Sequence, residues 1–546
     1  MFPGRPEGHG SRVTSARVQD GALAAARPVL VSGWAGAVAA AVAALAAVAG
    51  WRGADVPNYL FRIELFRRDG FTIWSSAWYG GHHTPGYSVL LAPLAAAVGP
   101  VLVGAGSAIV AAVCFDRLLR RLPAVERRRA TIASALFAAG TVVNLAVGRL
   151  AFALGLALGL AALATGRRTA VGGVAAAVLS VATALASPVA GCFLALAWLA
   201  MAIASRRRGP LVWASCALAP VAVLALLFPE GGRFPFSLGA LTVTLSVCFA
   251  AWGLLPRAWS AVRIGAALYA AAALVTFAVP NALGANITRL GMFVALPLLV
   301  AAPLRRPRRV PTAAMVALGL LFAWWQWSPA IDAMTRSSRD ASTEATFYAP
   351  LLEYLRQADP PAERIEIPFT RRHYEAVHVA PEVPLARGCQ RQLDMKLNPL
   401  FYEPGGLGPR EYHQWLHDTG VDYVALPDAE LDASAEAEVA LLRRGQPGLE
   451  RVWEGDDWTV WRVVDSPGLV DGPAELVEQT ADTLTLRAWS TGTVLVRVRP
   501  SPWWTVDGSG CVAETAEEEW VRVEVERPGP LVLHQVLVGE RVRCPT

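Results

Sequence analysis

The chain has 546 residues, of which 54% are hydrophobic and only 17% charged, with a mean hydropathy of +0.39. A soluble protein of this size carries about a quarter charged residues, so a wholly soluble globule is excluded. The net charge of +5 comes almost entirely from arginine in short clusters between apolar runs, with Lys396 the sole lysine, and this is not the pattern of a nucleic-acid surface. The Ala/Arg/Val bias reads as genomic composition.

Charge is sparse from about residue 29 to 328 and dense afterwards, which divides the chain into a membrane half and a soluble half. Residues 1–28 are rich in Gly, Arg and Pro and read as a disordered N-terminus. The first apolar run, 29–50, is longer than a signal-peptide core and shows no clear cleavage site, so it reads as a retained anchor. A membrane helix needs roughly 20 apolar residues. Candidate spans follow at 87–118, 130–146, 149–166, 170–187, 189–204, 211–228, 236–255, 262–280, 290–304 and 311–328, about 11 in all. The second is long enough to hold a re-entrant turn near Gly99-Pro100.

Arginines cluster at 117–129, 167–168, 206–208, 257–263 and 305–309. If the N-terminus is cytoplasmic, every cluster follows an even-numbered span and lies in the cytoplasm, as the positive-inside rule requires. The expectation is a multi-pass cell-membrane protein with loop 51–86 and everything after Pro329 outside.

Loop 51–86 is the most informative stretch. Asp55 stands within a few residues of the outer face. Segment 57–70 alternates Tyr59, Leu60, Ile63 and Phe66 with Arg62, Glu64, Arg67 and Arg68, a pattern expected to lie flat in the interface. His82-His83-Thr-Pro-Gly-Tyr87 then leads back into the membrane. A carboxylate at such a mouth can act as a general base toward a hydroxyl, or simply cap a helix. Adjacent His82 and His83 without a spaced carboxylate make a poor metal site. On the same side, Asn144-Leu-Ala-Val-Gly-Arg149 and Asn286-Ile-Thr-Arg289 place arginines against the positive-inside trend, where they can grip a phosphate or snorkel.

The soluble half reads as an α/β module over 329–450 and a β-sandwich over 451–546. Helices are expected at Tyr348–Arg356 and Tyr412–Gly420, and strands at Arg364–Phe369 and Val421–Pro427. Short alternating strands follow at 458–464, 484–489, 494–499, 520–525 and 531–536. Trp503-Trp504 reads as a core pair more readily than as a sugar platform. Cys114, Cys192, Cys216 and Cys248 lie in apolar runs as small core residues. Outside the cell, Cys511 and Cys544 could pair, leaving Cys389 over.

Three stretches resemble the GT-C superfamily of membrane glycosyltransferases, and within it the YfhO-like and protein-mannosyltransferase-like families. They are the acid after the first helix (Asp55), the His82-His83-Thr-Pro-Gly-Tyr87 entry into the second, and Arg289-Leu-Gly-Met-Phe-Val-Ala-Leu-Pro297. The chain departs from the families' patterns: no Asp-Glu pair stands at 55–56, and His-Pro-Pro-Leu is absent. The resemblance implies a divergent actinobacterial-type member with a GT-C-like helical domain. It implies a polyprenyl-phosphate sugar as donor and a cell-envelope glycan or glycolipid as acceptor, in contact with membrane lipid. It also implies Asp55 as catalytic base, and Arg289, Asn286, Arg149, Glu64, His82, His83 and Tyr87 as substrate contacts. No cofactor is expected, a divalent cation being left open. The rival readings are a multi-pass transporter, which the nearly charge-free spans and the absence of a repeat disfavour, and a non-enzymatic envelope assembly protein. The transferase reading requires Asp55, Arg289 and His82 to converge on one outer cavity.

Overall fold

The computed structural model describes residues 33–50, 52–166, 169–303, 312–336, 340–403, 405–513 and 519–545. The expected N-terminal segment 1–28 and the arginine clusters at 167–168 and 305–309 lie outside the described residues. The chain is a polytopic helical membrane domain followed by an α/β module and a β-sandwich.

Among the described residues, eleven apolar helical units occupy the expected spans. They are α1 (Gly33–Ala49), α3–α4 (Leu91–Val98 and Pro100–Leu119), α5–α6 (Arg127–Gly140 and Val142–Val147), α7 (Leu150–Thr165), α8 (Ala170–Ala186), α9 (Pro188–Ser205), α10 (Gly209–Leu227), α11 (Leu238–Leu254), α12 (Ser260–Ala278), α13 (Thr288–Ala301) and α14 (Thr312–Arg336). Seven are long and apolar enough to cross a bilayer by themselves and four are shorter. Helix α2 (Val56–Asp69) lies in the first loop. Large apolar side chains stay exposed on the bundle, among them Val171, Leu226, Leu238, Phe249, Leu320 and Trp324, a surface that only lipid covers cheaply. The break expected near Gly99 is present: Gly99 adopts φ +88°, where a side chain is strained, and Pro100 opens α4.

Among the described residues, the 117–129 loop meets the ends of α7 and α13 and the connection before α12. Arg121 donates to the Ala164 carbonyl at 2.9 Å, Arg129 to Ala302 at 2.8 Å, and the Trp259 indole to Pro123 at 2.9 Å.

In the soluble half, α15 (Ala345–Arg356), α16 (Glu375–His378), α17 (Arg391–Leu397), α18 (Pro409–Asp418) and α19 (Glu436–Arg444) surround one mixed sheet. The two-residue strands β1 (Trp74–Ser75) and β2 (His82–His83) form a hairpin in the first loop, and the tail sheet has the order β3-β4-β6-β5, from Ile365–Glu366, Tyr423–Pro427, Trp458–Val463 and Leu449–Glu454. The 449–463 hairpin therefore belongs to the α/β module and not to the sandwich, where its alternating pattern had placed it. β6 pairs antiparallel along the whole of β4, and alternation alone does not say which sheet a strand joins. The sandwich begins at β7 (Val470–Asp471) and continues through β8 (Ala474–Gln479), β9 (Thr483–Ala488), β10 (Gly492–Val496), β11 (Trp504–Asp507), β12 (Gly510–Val512), β13 (Val521–Val525) and β14 (Gly529–Gln535). Its two sheets run β12-β13-β10-β7 and β11-β14-β9-β8.

Trp504 is buried in the sandwich core, and the Trp503 indole donates to the Leu227 carbonyl at the end of α10 at 3.0 Å. The pair thus docks the sandwich on the bundle. Cys511 and Cys544 form a disulfide across 33 residues, and Cys389 is free. Closing a loop of that length stabilises by about 3 to 4 kcal/mol in the chain-entropy account. The Cys511→Ser, Cys544→Ser double variant is therefore expected to lose about 3 kcal/mol of tail stability, read as a lower unfolding midpoint in denaturant.

Candidate active site

A cavity of about 920 Å³ lies where the bundle meets the tail. Its apolar wall comes from α9, α10, α13 and α14, including Val189, Leu224, Met292 and Trp325. Its polar wall comes from the first loop, the tail and the helix ends and connections of the bundle that carry Arg149, Glu230, Asn286 and Arg289.

Asp55 reaches this cavity through a fit between two backbone turns. The chain after α6 turns at Gly148, whose φ is +93°, and a Cβ there would sit 2.5 Å from the Val56 nitrogen. Gly53 is equally confined: its Cβ would lie 2.4 Å from the Val147 Cα. The Asp55 amide donates to the Val147 carbonyl at 3.0 Å. Only glycine at both positions lets the turns touch. The contact sets Arg149 Nε 3.0 Å from Asp55 Oδ2, and Arg289 Nη2, from the start of α13, lies 4.0 Å from the same oxygen. The Arg289 guanidinium also covers the Phe152 ring at 5.4 Å. Asn286, in the 3-10 turn before α13, and Tyr87, beneath the Arg62 guanidinium at 4.9 Å, line the same space.

His83 lines the cavity as well. Its Nδ1 is 2.7 Å from Glu230 Oε1 and its Nε2 is 3.2 Å from Ser501 Oγ, while its backbone amide donates to Glu230. The side chain thus clamps the first loop to the α10–α11 connection and to the sandwich. The Glu230 carbonyl in turn accepts from Lys396 Nζ at 2.8 Å. Among the described residues, no group of three His, Cys, Asp or Glu side chains is placed to hold a metal.

Two expected contacts lie elsewhere. His82 does not reach the cavity, so the expected convergence of Asp55, Arg289 and His82 is not met in full: Asp55 and Arg289 meet there, and His83 lines the cavity in place of His82. Strand β2 alternates its side chains, so when His83 faces Glu230, His82 turns inward and stacks on Trp78 at 5.1 Å. Burial holds the His82 imidazole well below its usual pKa, and neither ring nitrogen has a protein partner. Glu64 points to solvent on α2, 3.7 Å from Arg67 one turn on. Nor does α2 lie free in an interface. It is covered on both sides, with Ile63 against Leu91 and Ala95 of α3, and Phe61 and Leu65 in the tail core. Arg62 is buried and holds Asn58 Oδ1 at 2.9 Å and the Thr84 carbonyl at 3.0 Å.

The tail supplies residues that no local motif announces: Arg371, His373, Gln390, Arg391, Tyr402 and Asp432. Arg391 grips Asp432 through both carboxylate oxygens, at 2.7 and 2.8 Å. His373 Nε2 lies 3.8 Å from Asp432 Oδ2. The signals were single residues spread over 60 positions, joined only by the fold.

No protein-family model and no characterised protein sequence matches the chain. Among solved structures, the chain is similar to the cryo-EM structure of the arabinofuranosyltransferase AftD from Mycobacteria, with 18% identity and a TM-score of 0.46 over 93% of this chain and 40% of that one. A mutant of the same protein matches at 18% identity and a TM-score of 0.43, over 91% of this chain and 41% of that one. The chain thus spans about two fifths of the structures it matches.

Burial raises the Asp432 pKa, but His373, Arg391 and the Ser434 hydrogen bonds more than offset it and bring the carboxyl down to about 2. A depressed carboxyl stabilises above its unfolded value near 4, and that stability is lost as pH falls through about 2. Asp432→Asn is expected to cost about 2 kcal/mol at pH 7. Unfolding free energies of both proteins from pH 7 to 2 check this, since the difference between them should close between pH 4 and 2.

Proposed function

We propose that the protein is a GT-C-like membrane glycosyltransferase that moves a sugar from a polyprenyl phosphate to a cell-envelope glycan or glycolipid. The observation that carries this reading is the cluster of one carboxylate, Asp55, with two arginines, Arg149 and Arg289, in a cavity with an apolar wall on the bundle and a polar wall on the tail. Two guanidiniums against one carboxylate leave an excess positive charge, and both side chains are largely buried. Such a surplus is neutralised by an anion, and a phosphate accepts from guanidinium forks in the geometry that favours arginine.

In this mechanism the lipid chain lies along the apolar wall and its phosphate displaces Asp55 as the partner of Arg289 and Arg149. The freed Asp55 carboxylate takes the proton of the acceptor hydroxyl. The acceptor oxygen bonds to the anomeric carbon with inversion as the bond from that carbon to the phosphate oxygen breaks. The sugar joins the acceptor and the polyprenyl phosphate leaves as an anion held by the two arginines, where fixed donors stabilise the developing charge. Gln390, Arg391 and Tyr402 are placed to orient the acceptor. The arginine clusters that follow even-numbered spans in the sequence support a cytoplasmic N-terminus with the cavity and tail outside.

Asp55→Ala and Asp55→Asn are both expected to lower transfer from a radiolabelled polyprenyl-phosphate sugar by a factor of at least about 100, within the range of general-base catalysis. Arg289→Gln is expected to raise KM for the donor as well as lower kcat. Full transfer by both Asp55 variants would exclude the base role.

A further inference from the structure

A second cavity, of about 410 Å³, lies on the other side of the turn that holds Asp55. Its volume is within the range of small-molecule pockets, about 300 to 1,000 Å³. One wall is the tail-side end of α1 and α4, where small residues, Ala43, Ala46, Ala47, Gly104 and Ala105, leave a groove. The opposite wall is polar and belongs to the loop and tail: Arg52, Tyr59, Glu344, Tyr374 and His378.

The groove opens sideways. Ala47 and Val101 on its rim are exposed, and their neighbours Val48 and Leu102 are 89% and 65% exposed on the apolar surface of the bundle. A ligand entering there comes from the bilayer. The polar wall is built and unfinished. Tyr374 is 2% exposed, yet its hydroxyl has no partner, and neither has Nε2 of the adjacent His378. Buried polar groups normally find partners. The charges present balance: Arg52 pairs with Glu344 and also donates to Thr343 Oγ1 at 3.2 Å and to the Thr343 carbonyl at 3.0 Å. Burial lowers the His378 pKa, which keeps that ring neutral near pH 7. The amino end of α4 adds the positive pole of its dipole.

We infer that this cavity binds a bilayer phospholipid with a zwitterionic headgroup of the phosphatidylethanolamine type. One acyl chain fills the alanine groove, the phosphate lies against Arg52 and the start of α4, the ammonium lies against Glu344, and Tyr374 donates to an ester carbonyl. The match rests on charge: a single cation and a single anion side by side complement a phosphate and an ammonium, whereas a purely anionic headgroup meets Glu344 and is repelled. The bound lipid would hold the tail, through Thr343–Ala345 and α16, on the membrane helices. The site is separate from the transferase cavity and does not depend on the reading given for it.

The test is native mass spectrometry of the full chain released from nanodiscs holding equal phosphatidylethanolamine and phosphatidylglycerol. A retained phosphatidylethanolamine adduct is expected, and Ala105→Phe, which fills the groove, should remove it. Glu344→Gln should shrink the preference for phosphatidylethanolamine by about fivefold, the upper range for a partly exposed charge pair. Asp55→Asn should retain the adduct, which separates this result from any failure of the transfer assay. Equal retention of both lipids, a preference for phosphatidylglycerol, or an adduct unchanged in Ala105→Phe would each overturn the inference. Size-exclusion and thermal profiles matching the parent protein establish that the Ala105→Phe chain is folded.

Discussion

The structure depends on the burial of one loop, residues 71–86, among three bodies. Ile73 and Trp74 enter the sandwich core, where Trp74 meets Trp504 edge-on at 5.5 Å. Ala77, Trp78 and Tyr79 enter the core of the α/β module. Backbone bonds fasten the same strip: Ser76 to Ala481 at 2.7 Å, Leu385 to Ala77 at 2.9 Å, and Arg499 to Gly80 at 2.8 Å. A strip with both faces covered by protein has no water for its amides, so each must find a partner in the fold; here the partners come from the tail, from Glu230 and from the loop itself. Gly81 is forced by contact, since a Cβ there would lie 2.0 Å from the Trp74 ring. The loop enters this wedge from α2 and leaves it toward Tyr87 and α3. The backbone carrying Asp55 is thus anchored at Gly148 on one side and by the wedge on the other. In the proposed mechanism that anchoring keeps the Asp55 carboxylate within hydrogen-bond reach of the acceptor hydroxyl.

Two charge clusters in this chain are solved in opposite ways, and the contrast separates structure from site. Inside the α/β module, Arg387 is fully buried between the Phe369 and Phe401 rings, at 4.0 and 3.8 Å. It faces three acids: Asp394 at 2.7 Å, Glu438 at 3.4 Å and Glu366 at 3.8 Å. The excess is negative and is relieved by protons. Burial first, then the neighbouring carboxylate, raises Glu366 well above its usual range, and burial raises Glu438 to about 7. Tyr402 and Asn398 donate to Asp394 and Tyr412 donates to Glu438, while both Glu366 oxygens are buried without a hydrogen-bond partner. That cluster is sealed from solvent, with all four side chains buried. At Asp55 the excess is positive, and guanidiniums do not shed protons at physiological pH. In the proposed mechanism an incoming phosphate balances it, and the cluster faces a cavity of about 920 Å³.

The membrane half was largely legible because lipid imposes a long, uniform signal. The apolar runs and the break at Gly99 follow from length and composition. Asp55, Arg149, Asn286 and Arg289 stood out for a related reason: polar residues next to apolar spans are few. What failed was anything set by which face a side chain takes or by distant pairing. His82 and His83 are indistinguishable in sequence, and only the pairing of β2 with β1 sends one to Glu230 and the other under Trp78. Glu64 sits one helical position from the buried Ile63 and faces water. Glu230, Arg391 and Asp432 carry no local pattern, because tertiary contacts alone bring them to the cavity.

The division of the cavity wall follows from how the two halves are made. Residues on the bundle side must satisfy lipid over most of their surface, so they offer little but aliphatic and aromatic groups where they line the cavity. The tail folds in water and can present Arg391, Gln390 and Asp432 at its underside. In the proposed function the site holds an apolar chain and a sugar at once, and such a seam offers a wall for each. Asp55, Arg149 and Arg289 lie on the seam itself, where a charge can be buried from bulk water yet remain within reach of both kinds of ligand. Deeper in the bundle their desolvation would be costly, and farther into the tail they would be out of reach of the lipid phosphate in the proposed mechanism.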